Sequence, residues 1–167
     1  CGSYASSSWA KEEKYFGKLD KSALNHYDHW TDNIKFWQDI DHIKKYIKIM
    51  YFAGGEPFVQ EGHYKMLKFL VDTGCSKNIE LSYNTNLSYS GSFNGYDLEG
   101  LWKNFKNIEL WPSIDGFNEQ AEYGRKGLDI ELFKNNSLKF SNYITTFSIV
   151  SSVYSINTNI DLIKWIK

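Results

Sequence analysis

The 167-residue chain has only two cysteines, Cys1 and Cys75, too few and too far apart to form a disulfide framework. It has no apolar run near the roughly 18 residues a membrane helix needs, and no charged, apolar, small-residue leader opens it, so a soluble cytoplasmic protein is expected. Long charge blocks are absent too. The 19 basic and 20 acidic residues are interspersed, and no basic strip with interleaved aromatics is long enough to read as a nucleic-acid surface. There is no Gly-x-Gly-x-x-Gly after a strand, which argues against a dinucleotide fold, and no Gly-x-Ser-x-Gly or phosphate loop to support a hydrolase or transferase. Arginine is nearly missing: Arg125 stands alone among the 19 basic residues.

What is present is apolar and aromatic in quantity, 42% hydrophobic and 17% aromatic, enough to bury the core of one domain. The chain is organised around Gly54-Gly55-Glu56-Pro57. Residues 47–52 are β-branched and aromatic and read as a strand, while Tyr64, Leu67, Leu70 and Val71 recur at helical spacing. The glycines therefore sit where strand becomes helix, able to take backbone angles closed to other residues and to let a ligand approach the main chain. Glu56 adds an acceptor that suits the ammonium of a small molecule and would repel a phosphate. A tight turn with no further role is the alternative.

Before that turn, 9–16 reads as a short helix capped by Ser6-Ser7-Ser8 and 17–30 as an irregular connection. Thr31 or Asp32 is expected to cap a helix with an apolar stripe of Ile34, Trp37, Ile40, Ile43 and Ile47. After it, the strand–helix unit repeats about every 30 residues, with strands starting near Ile47, Ile79, Ile108 and Ile144. Their tips are the glycine turn, Asn84-Thr85-Asn86, Asp115-Gly116, and Ser155 with Asn157. Helices are expected over 98–105, around 118–123 and 130–139, and after Thr158, and the first crossover helix should stop at 72–74. Alternating strands and helices imply a parallel α/β sheet with its site at the carboxyl tips. Part of a (β/α) barrel is the favoured architecture and a doubly wound open sheet the alternative. Because the chain begins at a cysteine and ends at Lys167 inside a helical pattern, it is expected to be a fragment.

Cys1-Gly2, Gly54-Gly55-Glu56-Pro57, Asn84-Thr85-Asn86, Ser113-Ile114-Asp115-Gly116 and Gly124-Arg125 resemble, in order and strand position, the radical S-adenosylmethionine (radical SAM) enzymes, over nearly the whole chain. Cys1-Gly2-Ser3, with 6–9 after it, looks most like the branch carrying a twitch or SPASM accessory domain. The resemblance implies a partial (β/α)6 TIM-type barrel, of which 1–167 would be a partial core domain lacking the first and last strands. It implies a [4Fe–4S] cluster on three thiolates, Cys1 the third of them, and SAM as the second cofactor. The implied reaction is reductive cleavage of SAM to a 5′-deoxyadenosyl radical that abstracts hydrogen from a small-molecule or peptide substrate, with an electron donor such as flavodoxin or ferredoxin. A non-catalytic barrel relic that binds a nucleoside-like ligand or a protein partner is the alternative.

Residue by residue, the resemblance gives Gly54, Gly55 and Glu56 to the SAM amino group, and Asn86, with Thr85, to its methionine or ribose part. It gives Ser113 a hydroxyl contact to SAM and leaves Asp115 between a ribose diol and a helix cap. Arg125 would pair with the SAM carboxylate, a task for which its planar fork is suited. A local strand-end role for Asn86 and a solvated surface role for Arg125 are the plain alternatives. Cys75, past the end of a helix at the opposite rim, reads as an ordinary thiol. His26, His29, His42 and His63 have no ligand-like spacing and read as solvated, whereas Trp37, Trp102 and Trp111 read as core.

Overall fold

A computed structural model of the chain describes residues 12–17, 30–89 and 92–167. It divides into two compact units, Cys1–Tyr46 and Ile47–Lys167. In the first, residues 12–15 are helical and Phe16 is in the turn that follows, while 9–11 of the expected 9–16 helix, its serine cap, His26 and His29 lie outside the described residues. The helix α1 spans Ile34–Ile43 and continues as a 3-10 turn, Lys44–Tyr46. Its cap is Asn33, whose side chain accepts from the Lys35 N–H; Thr31 and Asp32 instead lie within a preceding 3-10 turn, Trp30–Asp32. The expected stripe is not buried: Ile34 is 74% exposed and Ile43 50%.

The second unit carries a four-stranded parallel sheet in the order β1 (Ile49–Phe52), β2 (Glu80–Thr85), β3 (Asn107–Ile114), β4 (Ser148–Ile149). Between strands run α2 (Glu61–Asp72), α3 (Leu98–Trp102), α4 (Glu119–Gly124) and α5 (Ile130–Lys139), and α6 (Asn159–Ile166) follows β4. Spatial order equals chain order, so every crossover steps the same way. With right-handed crossovers, that puts the connecting helices on one face. Burial agrees on β3, where Ile108, Leu110, Pro112 and Ile114 are buried and the alternate residues are not. The covered face continues through Leu81 and Tyr83 on β2, both fully buried. Gly74 ends α2 as expected: it takes φ 71°, and its N–H returns to the Val71 carbonyl.

The fourth strand is the largest departure from expectation. The run 144–153 is apolar and β-branched enough to predict a long strand, but only two residues form one. Ile144 bridges Leu110 and Ser148 pairs with Ser113, so the offset slips by one residue between these contacts, as at a bulge. Beyond Ile149, β3 has already ended and turned at Gly116, φ 127°, leaving 150–153 without a partner strand. No described helix is long and apolar enough to cross a membrane.

Candidate functional site

Parallel strands share one carboxyl end, and the motifs meet there. Gly54, at φ 89°, lets the chain leave β1 in a conformation that resists a side chain, and a Cβ there would meet nothing within 4 Å. Gly55 is similarly open, with only the Gln60 amide 3.7 Å from its notional Cβ. The turn then drives Glu56 inward, where it is 8% exposed.

There the carboxylate ties two strand tips together. Oε1 accepts from the Thr85 hydroxyl at 2.6 Å and the Phe58 N–H at 3.3 Å, and Oε2 accepts from the Asn86 N–H at 2.7 Å. Of about four acceptor positions on a carboxylate, this leaves one, on Oε2. Burial pushes the Glu56 carboxyl above the ordinary range, while the three hydrogen bonds and the charge of Arg125 oppose that rise. Thr85 also accepts from Leu87 N–H at 2.9 Å, and the Asn86 side chain accepts from Ser88 N–H at 2.8 Å. These bonds hold the second tip in shape, with Leu87 at φ 55°. The Asn86 side-chain carbonyl thus makes one local bond at the strand end.

At the third tip, Arg125 Nε donates to Asp115 Oδ2 at 2.6 Å and Nη1 to the Ser113 carbonyl at 3.1 Å. The guanidinium therefore lies against the rim, 30% exposed, and does not extend away from it. These bonds use two of its five donors. Asp115 is not a helix cap: its other oxygen accepts from Val150 N–H at 3.3 Å, joining β3 to the segment after β4. Ser113 is half-buried on the sheet face away from the helices.

Cys1 lies outside the described residues. Cys75, between α2 and β2, is at the other end of the strands. Among the described residues no three His, Cys, Asp or Glu side chains gather as metal ligands. Two cysteines in the chain fall short of the thiolate set that iron–sulfur clusters use, so these residues do not by themselves form a cluster site. An amino-acid group fits better: open glycine backbone, a carboxylate with one acceptor left and a guanidinium with free donors share the rim.

His63 corrects the sequence reading. It is 3% exposed, not solvated, and its Nε2 lies 3.0 Å from the Tyr83 hydroxyl, to which Trp102 Nε1 donates at 3.1 Å. Burial drops its pKa to about 3, so the ring is neutral. The signal was in the spacing: 63, 66, 67 and 70 form the buried stripe of α2. His42 is exposed as expected. Trp102 is core at 2% exposure, whereas Trp37 and Trp111 are only half-buried. A separate cavity of about 590 Å³, lined by Leu138, Ile144, Phe147, Ile163 and Trp165, belongs to α5, the approach to β4 and α6, not to the strand tips.

No family model matches the chain, and neither a curated protein nor a solved structure matches it.

Proposed function

We propose that the second unit is the SAM-binding part of a radical SAM core, a partial (β/α) barrel whose carboxyl rim holds the methionine end of SAM. The observation that carries this is the convergence of Glu56, Asn86, Ser113 and Arg125 at the tips of three neighbouring parallel strands, in the order the family motifs have. The unreversed strand order supports the barrel over the doubly wound sheet, which needs a reversal to make its ligand crevice. In this reading Gly54 and Gly55 let the SAM ammonium reach backbone carbonyls, the remaining Glu56 acceptor faces it, and Arg125 takes the SAM carboxylate with its unused donors. Asp115 positions that guanidinium. The proposed reaction class is the family's reductive cleavage of SAM with hydrogen abstraction from a substrate, a peptide first. What these residues account for is the binding and orientation of SAM, and no step is assigned to a cluster they do not ligate.

The rim bonds serve equally in a second reading, a barrel that binds a nucleoside-like ligand without catalysis. Calorimetric titration of the chain with SAM tests the binding shared by both readings. Arg125→Lys keeps the charge but loses the fork, so SAM affinity should fall about tenfold. Unchanged affinity in that variant would remove Arg125 from the site, and absence of SAM binding by the unaltered chain would overturn the proposal. In a form of the protein that carries the three cluster thiolates, formation of 5′-deoxyadenosine from added SAM after anaerobic reconstitution with iron, sulfide and a reductant separates enzyme from relic.

A further inference from the structure

The face of the sheet away from the helices is built unlike a packing surface. Ser82 on β2 is flanked in register by Tyr51 on β1 and Glu109 on β3. One pleat toward the tips, Asn84 is paired with Trp111. The Tyr51 and Trp111 rings meet across the small Ser82, centroids 5.5 Å apart and tilted by 43°. Trp111 is held by an Nε1–H bond to Thr145 Oγ1 at 3.0 Å. Glu109 has no ion pair among the described residues, and the buried Asn84 Oδ1 has no hydrogen-bond partner among them. Lys106, just before β3, is paired with Glu80 at 2.6 Å at the far end of the strands.

Every feature here seeks a cation: two π faces, an unpaired carboxylate and an orphan acceptor, with no basic side chain at any strand position on this face. Ile49 and Tyr51 extend the surface toward the β1 edge, 62% and 52% exposed. That apolar margin suits the residues flanking a charged side chain, whereas a small free amine would leave it in water. We propose that Tyr51, Trp111 and Glu109 form a subsite for the cationic side chain of a peptide, lysine or arginine, on the open face below the SAM rim. This rests on the reading of a peptidyl substrate and gives that substrate its recognition element.

The test needs neither cluster nor SAM. A fluorescently labelled heptapeptide with one central lysine, and the same peptide with Nε-acetyl-lysine, are titrated with the full chain and followed by anisotropy. The lysine peptide should bind about fivefold or more tightly. Glu109→Gln should abolish that preference, and Trp111→Leu, with Tyr51→Leu as a second aromatic variant, should reduce it. Arg125→Lys should leave it intact. Equal affinity of the two peptides, no binding of either, or a preference that survives Glu109→Gln would overturn the subsite. A lysine preference in a chain that fails to bind SAM would sink the proposed function while supporting this inference.

Discussion

On β3, Leu110 is fully buried, while its neighbours Glu109 and Trp111 remain half-open on the opposite face. Three residues in sequence thus belong to two surfaces with different requirements. The helix side is closed with Phe58, Tyr64, Tyr83 and Trp102, all nearly inaccessible, and His63, Tyr83 and Trp102 join their polar atoms there in one hydrogen-bonded chain. The open side keeps a carboxylate, an orphan amide oxygen and two aromatic rings in one patch. A fully parallel sheet normally has both faces covered by apolar residues. Among the described residues only one carries such an apolar cover, and the chemistry has collected on the other face and on the rim between them.

The largest test of this contrast is acid. His63 is buried on the helix side, with its pKa depressed from 6.5 to about 3. The unfolded chain takes up the proton near 6.5, whereas the folded chain does not until near 3, so stability must fall as pH falls through that window. The slope is about 1.4 kcal/mol per pH unit, about 5 kcal/mol over the window. Urea denaturation between pH 7 and pH 4 should show about 3 kcal/mol of this loss, and His63→Phe should flatten it. A wild-type curve as flat as the variant's would mean that the helix side admits water at His63.

Packing supplies the next test. Leu110→Ala deletes a side chain with no exposure and should cost about 2–5 kcal/mol, read from the same denaturation curves. A cost below about 1 kcal/mol would indicate a helix side loose enough to collapse onto the vacancy.

Sequence periodicity located these packed elements because burial on one face imposes it. Tyr64, Leu67 and Leu70, three of the four residues whose spacing marked α2, are buried, and Val71 is half-buried. It failed where partners decide the outcome. Residues 144–153 have strand propensity, yet their length as a strand is set by where β3 stops and by the slipped register. Asn33 displaced Thr31 and Asp32 as the cap because a preceding 3-10 turn absorbed those two. At the rim, the motifs identified which residues meet but not how their groups are spent. Three of the Glu56 acceptor positions face protein donors, and Arg125 lies on an aspartate four residues beyond Trp111. Such bonds follow from tertiary approach over 29 or more residues in the Glu56–Thr85 and Glu56–Asn86 cases, and no local pattern announces them.

Glu56 stands between the two surfaces and should respond as both. Glutamine keeps the shape but turns an NH₂ donor toward donors from Thr85, Phe58 or Asn86. One buried group is then unsatisfied, at a cost of about 1–3 kcal/mol in stability. SAM affinity should also fall, because the charge facing the ammonium is gone. The two losses are separable: titration well below the variant's unfolding temperature reads affinity alone. Normal SAM affinity in a destabilised Glu56→Gln would make the carboxylate a strap between β1 and β2 and nothing more.

The smallest effect is expected from Glu109→Gln, and that is why it is informative. Glu109 is half-exposed, has no ion pair among the described residues and lies beside Ser82, so removing its charge breaks no bond the fold uses. Stability should change by no more than about 0.5 kcal/mol, as for surface substitutions away from specific contacts. A residue that is inert for folding yet decides between lysine and acetyl-lysine is one the open face holds for a ligand. If Glu109→Gln instead costs as much as Leu110→Ala, the carboxylate is structural, the two faces of the sheet are alike, and the open face has no claim to be a binding surface.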